Sequence, residues 1–283
     1  KYNNSNLNIC IDRNELVVDE EQRCHLHIQA ELTGLFGQSI CESNRNDSLI
    51  PATLSGHNSC GKKYTPSLFK NNFSKYANEV QWSEFESKKN NQEWVCKSYA
   101  IQLPGRIETN NISIQPYEGM GIYIFTTKNL YLLIRCGEVG QEGIAGHAHN
   151  DQLSLELNFA GEDIIVDPGS YVYTPFTEIR NTYRSVNAHF APKFIDEEPS
   201  NLGKGLFTLK NAKPGVCLYF SNKGFIGMHE GYSSPVYRRI EIRSDDIIVN
   251  DLSKSHKLKS ICHSPPLISP RYGIQLRSKS YSL

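Results

Sequence analysis

The densest polar run in the chain is Gly146-His-Ala-His-Asn-Asp-Gln152. His147 and His149 stand two apart, so on an extended segment both imidazoles point to one side. Asp167 follows in Val166-Asp-Pro-Gly169, and His189 closes Arg184-Ser-Val-Asn-Ala-His189. Two imidazoles and a carboxylate are nitrogen and oxygen donors of the kind zinc takes, with a fourth position open to water or a substrate oxygen. Each part also has a plainer use. A lone histidine usually fills a core or surface position, and Asp before Pro-Gly is ordinary turn chemistry. From the residues alone both uses stay open.

Between Asp167 and His189 lie Tyr171, Tyr173, Arg180, Tyr183 and Arg184. A tyrosine relays a proton when a nearby cation lowers its pKa, and an arginine fork grips a carboxylate through two parallel hydrogen bonds. That pairing suits an anionic sugar, with Asn150 as a further polar contact to it. The alternative is packing for the tyrosines and solvation for the arginines. A zinc hydrolase has less support, because the sequence has no H-E-x-x-H helix.

The elements that must position these groups are mainly strands. Leu153, Leu155, Leu157 and Phe159 alternate with Ser154, Glu156 and Asn158, the pattern of a half-buried strand. Ala160-Gly-Glu-Asp163 turns the chain and Ile164-Ile-Val166 returns it. Ile122–Phe125 and Leu130–Cys136 predict a hairpin, and strand-sized runs recur at 216–220, 239–242 and 247–249 between Gly, Pro, Asn and Asp clusters. A straight hairpin would set Asp167 opposite Glu156, about 23 Å from His149. A shared metal site therefore requires the chain to bend near Asn150-Asp151.

Before about Trp94 the period is helical. Asp19-Glu-Glu-Gln22 has a capping-box pattern, with Cys24, Ile28, Leu32, Leu35 and Phe36 at helical spacing after it, which predicts one amphipathic helix from about Glu20 to Phe36. A second helix is expected after Pro66, where Phe69, Phe73, Tyr76, Ala77 and Val80 recur every three or four residues, with a polar loop over 42–63 between the two. The expectation is a mainly β fold, an antiparallel β-sandwich over 94–283 preceded by a mostly helical segment and linker over 1–93.

Lys plus Arg number 30 and Asp plus Glu 30, so neither a phosphate-tracking nucleic-acid binder nor an acidic-membrane binder is implied. No run reaches the roughly 18 apolar residues of a membrane span. Lys1-Tyr-Asn-Asn-Ser5 has no basic head followed by an apolar stretch, so it does not read as a signal peptide, and original targeting stays open. The 8 cysteines include no C-x-x-C pair, which disfavours a zinc ribbon; buried thiols are expected slightly ahead of disulfides.

Three blocks, Gly146–Leu157, Ile165-Val-Asp-Pro-Gly-Ser-Tyr-Val-Tyr-Thr174, and Arg180-Asn-Thr-Tyr-Arg-Ser185 with Ala188-His189, together resemble the signature of the heparinase II/III-like polysaccharide lyases. Gly56-His-Asn-Ser-Cys-Gly61 more faintly resembles an upstream element of such proteins. The resemblance implies a toroid of helical hairpins followed by a β-sandwich, with an anionic polysaccharide held between them. It implies a structural zinc on His149, Asp167 and His189, a catalytic His147 near the uronate carboxylate, and a sandwich-borne catalytic tyrosine, Tyr183 first and Tyr171 second. The reaction implied is β-elimination, in the periplasm or cell envelope of a bacterium. Two departures stand out: His189 runs into Phe190-Ala-Pro192 where the family usually has Asn-Thr, and the helical segment is too short for a whole toroid. The chain thus resembles a toroid remnant with its sandwich, with the toroid's catalytic residues unassigned. The competing expectation is a zinc-stabilised sandwich that binds carbohydrate or supports another module without turnover.

Overall fold

The structure, a computed structural model, describes residues 9–12, 15–18, 78–139, 145, 147–173, 176–203, 209–261 and 267–276. The helix expected over 20–36, the loop over 42–63, the Gly56–Gly61 element and all but the end of the helix expected after Pro66 lie outside them. The chain divides into two compact units, Lys1–Asn71 and Asn72–Leu283. In the first, β1 (Ile9–Asp12) and β2 (Glu15–Val18) pair antiparallel, with Ile9 opposite Val18.

In the second unit, α1 (Glu79–Lys89) leads into β3 (Val95–Gln102). Next come β4 (Ser113–Tyr117), β5 (Ile122–Thr126), β6 (Leu130–Arg135), β7 (Leu155–Phe159) and β8 (Glu162–Ile165). After α2 (Thr177–Arg184) come the short β9 (Lys193–Phe194), then β10 (Gly215–Ser221), β11 (Gly224–His229), β12 (Val236–Ile242) and β13 (Asp246–Ser253). The short β14 (Leu258–Lys259) and the hairpin β15 (Ile268–Arg271) and β16 (Ile274–Leu276) complete the described elements.

The long strands form two antiparallel five-stranded sheets, ordered β4-β5-β6-β7-β8 and β10-β11-β12-β13-β3. Their inner faces share one core because alternate residues point inward. Phe125, Leu132, Ile134 and Leu157 from one sheet meet Phe225, Ile240, Ile247 and Val249 from the other, all at 1% exposure or less. Aromatic edges join them, Phe125 to Phe220 at 4.9 Å and Tyr123 to Phe225 at 5.3 Å between ring centres. The fold is a β-sandwich.

On the outer face of the second sheet the alternate residues Tyr219, Ile226 and Leu252 receive Trp82 and Phe85 of α1. Asn78 caps this helix by accepting the Val80 N–H at 3.0 Å. Burying two such aromatic side chains stabilises the helix by about 1.5–3 kcal/mol each. The expected apolar stripe through Val80 does not extend into α1: Val80 is 57% exposed. Trp82 and Phe85, three apart, face the sheet instead, because that is where the sheet offers apolar surface.

Among the described cysteines, Cys96, Cys136 and Cys217 are free thiols. Cys136 is buried, and burial pushes its thiol well above the usual range.

Two buried polar groups sit at the ends of the central strands. Arg238 and Asp251, both with fully buried side chains, form a bidentate pair across β12 and β13 at 2.7 and 2.8 Å. His229 ends β11, and its Nδ1 accepts the Gly231 N–H at 3.1 Å, which fixes a neutral ring. Burial, and then the Arg238 charge, push its pKa down from 6.5 to about 3. The folded protein therefore refuses a proton that the unfolded chain takes, so stability is full above about pH 6.5 and falls as pH drops below it. His229→Asn should keep the acceptor and recover on the order of 1–2 kcal/mol of the stability lost between pH 7 and pH 5. Thermal unfolding of both proteins across that range checks this; His149, lowered in the same way, leaves a residual slope in the variant.

Candidate functional site

The bend that a shared metal site would require near Asn150-Asp151 is present. After β6 the chain returns to β7 through a turn in which Ser154 N donates to Asp151 O at 2.9 Å. Leu153, with φ at 62°, donates its N–H to Arg135 O at 2.7 Å. This turn lifts His149 off the line of β7. His147 and Ala145 are also left-handed, as are Tyr171 and Phe176 on the facing segment. Non-glycine residues pay about 1–2 kcal/mol for this conformation, and such outliers concentrate at functional sites.

Asp167 stands just beyond β8, in a loop that closes by the Gly169 N–H donating to Asp167 Oδ1 at 2.8 Å. Gly169 has φ of 77°, and a Cβ there would lie 2.3 Å from Ser269 O, so only glycine admits the β15–β16 hairpin this close. After α2, Ser185 caps a single 3-10 turn over Val186–Ala188, which delivers His189.

These parts converge. His189, 1% exposed, donates from Nδ1 to Asp167 Oδ2 at 2.8 Å. The rings of His149 and His189 lie 5.3 Å apart, and His149 Nε2 is 3.4 Å from Ser170 Oγ. Burial, the largest single effect, would raise Asp167 and lower His189, but their hydrogen bond and the attraction between their charges together outweigh it, holding Asp167 below and His189 above the ordinary values. Burial, and then His189, push His149 down to about 3, so its ring is neutral and its lone pair free to accept. His147 is exposed and sets its ring edge-on to Tyr173 at 5.4 Å.

Among the described residues no group of three or more His, Cys, Asp or Glu side chains stands in metal-holding geometry. The donor types nevertheless suit zinc. His189 Nε2 is enclosed with no hydrogen-bond partner among the described residues, while its Nδ1 is anchored to a carboxylate. Metal-bound imidazoles are commonly held in that way, and the same bond gives Asp167 an orienting role toward His189.

The other expected site residues are placed differently. Tyr183 is 2% exposed, and its hydroxyl donates to Leu267 O at 2.6 Å and accepts from Gln275 Nε2 at 2.9 Å, so it ties α2 to the β15–β16 hairpin. Tyr171, half-buried, lies 5.7 Å ring to ring from Tyr183 and is the one nearer solvent. Arg180, Arg184 and Asn150, expected to hold the sugar, are buried at 2–3% exposure and donate to the protein's own groups. Arg180 Nη1 reaches Tyr173 O at 3.1 Å, Arg184 Nε reaches Ala148 O at 3.1 Å, and Asn150 Nδ2 reaches Ser200 O at 2.9 Å. For the two arginines the physical reason is α2 itself: residues 180, 183 and 184 share the helix face that packs inward. Ala148 lies between the two histidines, so Arg184 holds their backbone.

Glu156 carries a signal the sequence reading passed over. Half-buried on β7 and near Asp167 and His189, its carboxyl is pushed up to about 7, mainly by burial and then by Asp167. It sits on the polar face of the alternation, with nothing in its neighbours along the chain to mark it.

The family model described as heparinase II/III-like, C-terminal, matches residues 111–263, just over half of the chain. No curated protein matches. Among solved structures, a heparinase III with methylated lysines is 17% identical, with 49% of this chain and 21% of that one covered, at a TM-score of 0.39. Another heparinase III is 11% identical, covering 50% of this chain and 36% of that one, at 0.25. The chain thus spans between about a fifth and just over a third of the length of these two proteins.

If the Tyr183 hydroxyl only ties the hairpin, Tyr183→Phe should cost about 1 kcal/mol. It should also speed hydrogen exchange at the Ser269 and Gly273 amides, which donate to Pro168 O and Tyr171 O. Exchange unchanged at both would show that the hairpin is held by something else.

Proposed function

The chain belongs to the heparinase II/III-like family through its C-terminal domain, and from that premise we propose that it acts as a polysaccharide lyase, or as the C-terminal domain of one, on a uronic-acid-containing glycan. The observation that carries this proposal is the meeting of His149, Asp167 and His189, with the exposed His147 two residues before His149.

The reaction is β-elimination. A base takes the acidic proton α to the uronate carboxylate, the carboxylate charge is neutralised as the carbanion-like transition state develops, and an acid protonates the departing glycosidic oxygen. His147, exposed on a left-handed turn, is the group for the carboxylate. Tyr171 replaces Tyr183 as the first candidate to move a proton, because the Tyr183 hydroxyl is held in two protein hydrogen bonds. Arg184 fixes the Ala148 carbonyl and so sets the direction in which His147 leaves the backbone.

His149 and His189, with Asp167 beside them, are the residues that would hold a structural zinc ion. Bound there, zinc would supply rigidity to the loop that bears His147. Among the described residues no helix is long and apolar enough to cross a membrane. A bacterial periplasm or cell envelope is the compartment that goes with glycan degradation of this kind.

A second possibility, a zinc-stabilised sandwich that binds or supports without turnover, is favoured by one observation: the expected sugar-binding arginines are buried on backbone carbonyls. Metal analysis and product absorbance in the ultraviolet, where the unsaturated uronate absorbs, separate the two on heparan sulfate and alginate. His149→Ala should lose bound zinc and unfold at lower temperature. His147→Ala should keep zinc and fold while losing turnover. Equal metal content in wild type and both variants would remove the zinc assignment, and zinc without product from any uronate glycan would favour the supporting role.

A further inference from the structure

The two histidine-bearing segments are joined by side chains that take no part in the histidine contact itself. Glu198 accepts at Oε2 from Asn150 Nδ2 at 2.6 Å and from the Val186 N–H at 3.0 Å, and its Oε1 accepts from the Ser185 hydroxyl. Asn150 directly follows His149, while Ser185 and Val186 form the turn that delivers His189. Elsewhere, Arg238 donates from Nη1 to Leu153 O at 2.8 Å and also to Phe190 O. Leu153 closes the bend after His149, and Phe190 follows His189. Asp251 holds the rest of that guanidinium, at 2.7 Å to Nε and 2.8 Å to Nη2, so its fork has no freedom to turn away.

We infer that Glu198 and Arg238 are positioning residues that clamp the His149 segment to the His189 segment and thereby set the separation of the two imidazoles. Each spans the same two segments and each does so from a buried or half-buried position, where an unmet partner is costly. Neither clamp duplicates the other. Glu198 acts on the 3-10 turn before His189, and Arg238 acts on the carbonyl after it. Neither touches an imidazole, since their hydrogen-bond partners on the two segments are backbone groups, the Asn150 amide and the Ser185 hydroxyl, so they fix where the rings start from. The functional meaning rests on the proposed role of the histidine pair; the geometry does not.

Isosteric Glu198→Gln removes the anion and puts an amide N–H₂ where donors now converge. The expected result is loss of the NOE between the His149 and His189 ring protons, with the core NOE between Tyr123 and Phe225 retained. Zinc added alone should bind roughly ten- to hundredfold more weakly, as when a partner of a ligating side chain is removed. Ser185→Ala, which deletes one bond to Glu198, should weaken the His149–His189 NOE partially and serves if Glu198→Gln fails to fold. Arg238→Lys keeps the charge but not the fork, and should likewise part the rings. A folded Glu198→Gln or Ser185→Ala protein with the wild-type ring NOE would overturn the inference. Should the wild type bind no zinc, the zinc assignment fails alone and the ring NOE still decides on the clamps.

Discussion

A guanidinium with no solvent contact must satisfy its N–H groups within the protein, and Arg238 can do so only by reaching the carbonyls of Leu153 and Phe190 while Asp251 neutralises its charge. Much of the site's shape follows from that requirement. The two carbonyls belong to loops far apart in sequence, and the need to meet one planar fork brings them together. Replacing such a pair by apolar residues is often tolerated by stability; what would be lost here is the meeting of the two loops.

The strands were legible because burial on one face writes itself into the sequence with a period of two. Leu155, Leu157 and Phe159 lie inward and Glu156 and Asn158 outward, as their alternation requires. The runs at Ile122, Leu130, Val216 and Ile247 likewise fall within strands. Other elements were hidden. β11 (Gly224–His229) has two glycines and little alternation, and is held by pairing with β10 and β12. The inward face of α2 is made of Arg180, Tyr183 and Arg184, so no apolar periodicity announces it.

The site was legible in residue type and only partly in role. The polar run around His147, with Asp167 and His189, pointed to one neighbourhood, and the required bend near Asp151 is there. Arg180, Arg184 and Asn150 looked like sugar contacts because their types suit that chemistry, and type says nothing of which way a side chain faces. Glu198 and Arg238 were out of reach altogether, since their partners lie many residues away: Arg238 is 85 positions from Leu153 and 48 from Phe190. Residues that act on the backbone of distant segments leave no motif.

The same separation has a consequence for biogenesis. The ribosome delivers both histidines of the His-x-His run, then Asp167, then His189, and only later Arg238 and Asp251, which fix the loops in place. At usual elongation rates the interval between the first and last of these is on the order of ten seconds. Glu198 emerges nine residues after His189 and can hold the turn before it, whereas the Leu153 and Phe190 carbonyls wait for Arg238. The anchor on those two carbonyls is therefore complete only after β12 and β13 of the second sheet have been made.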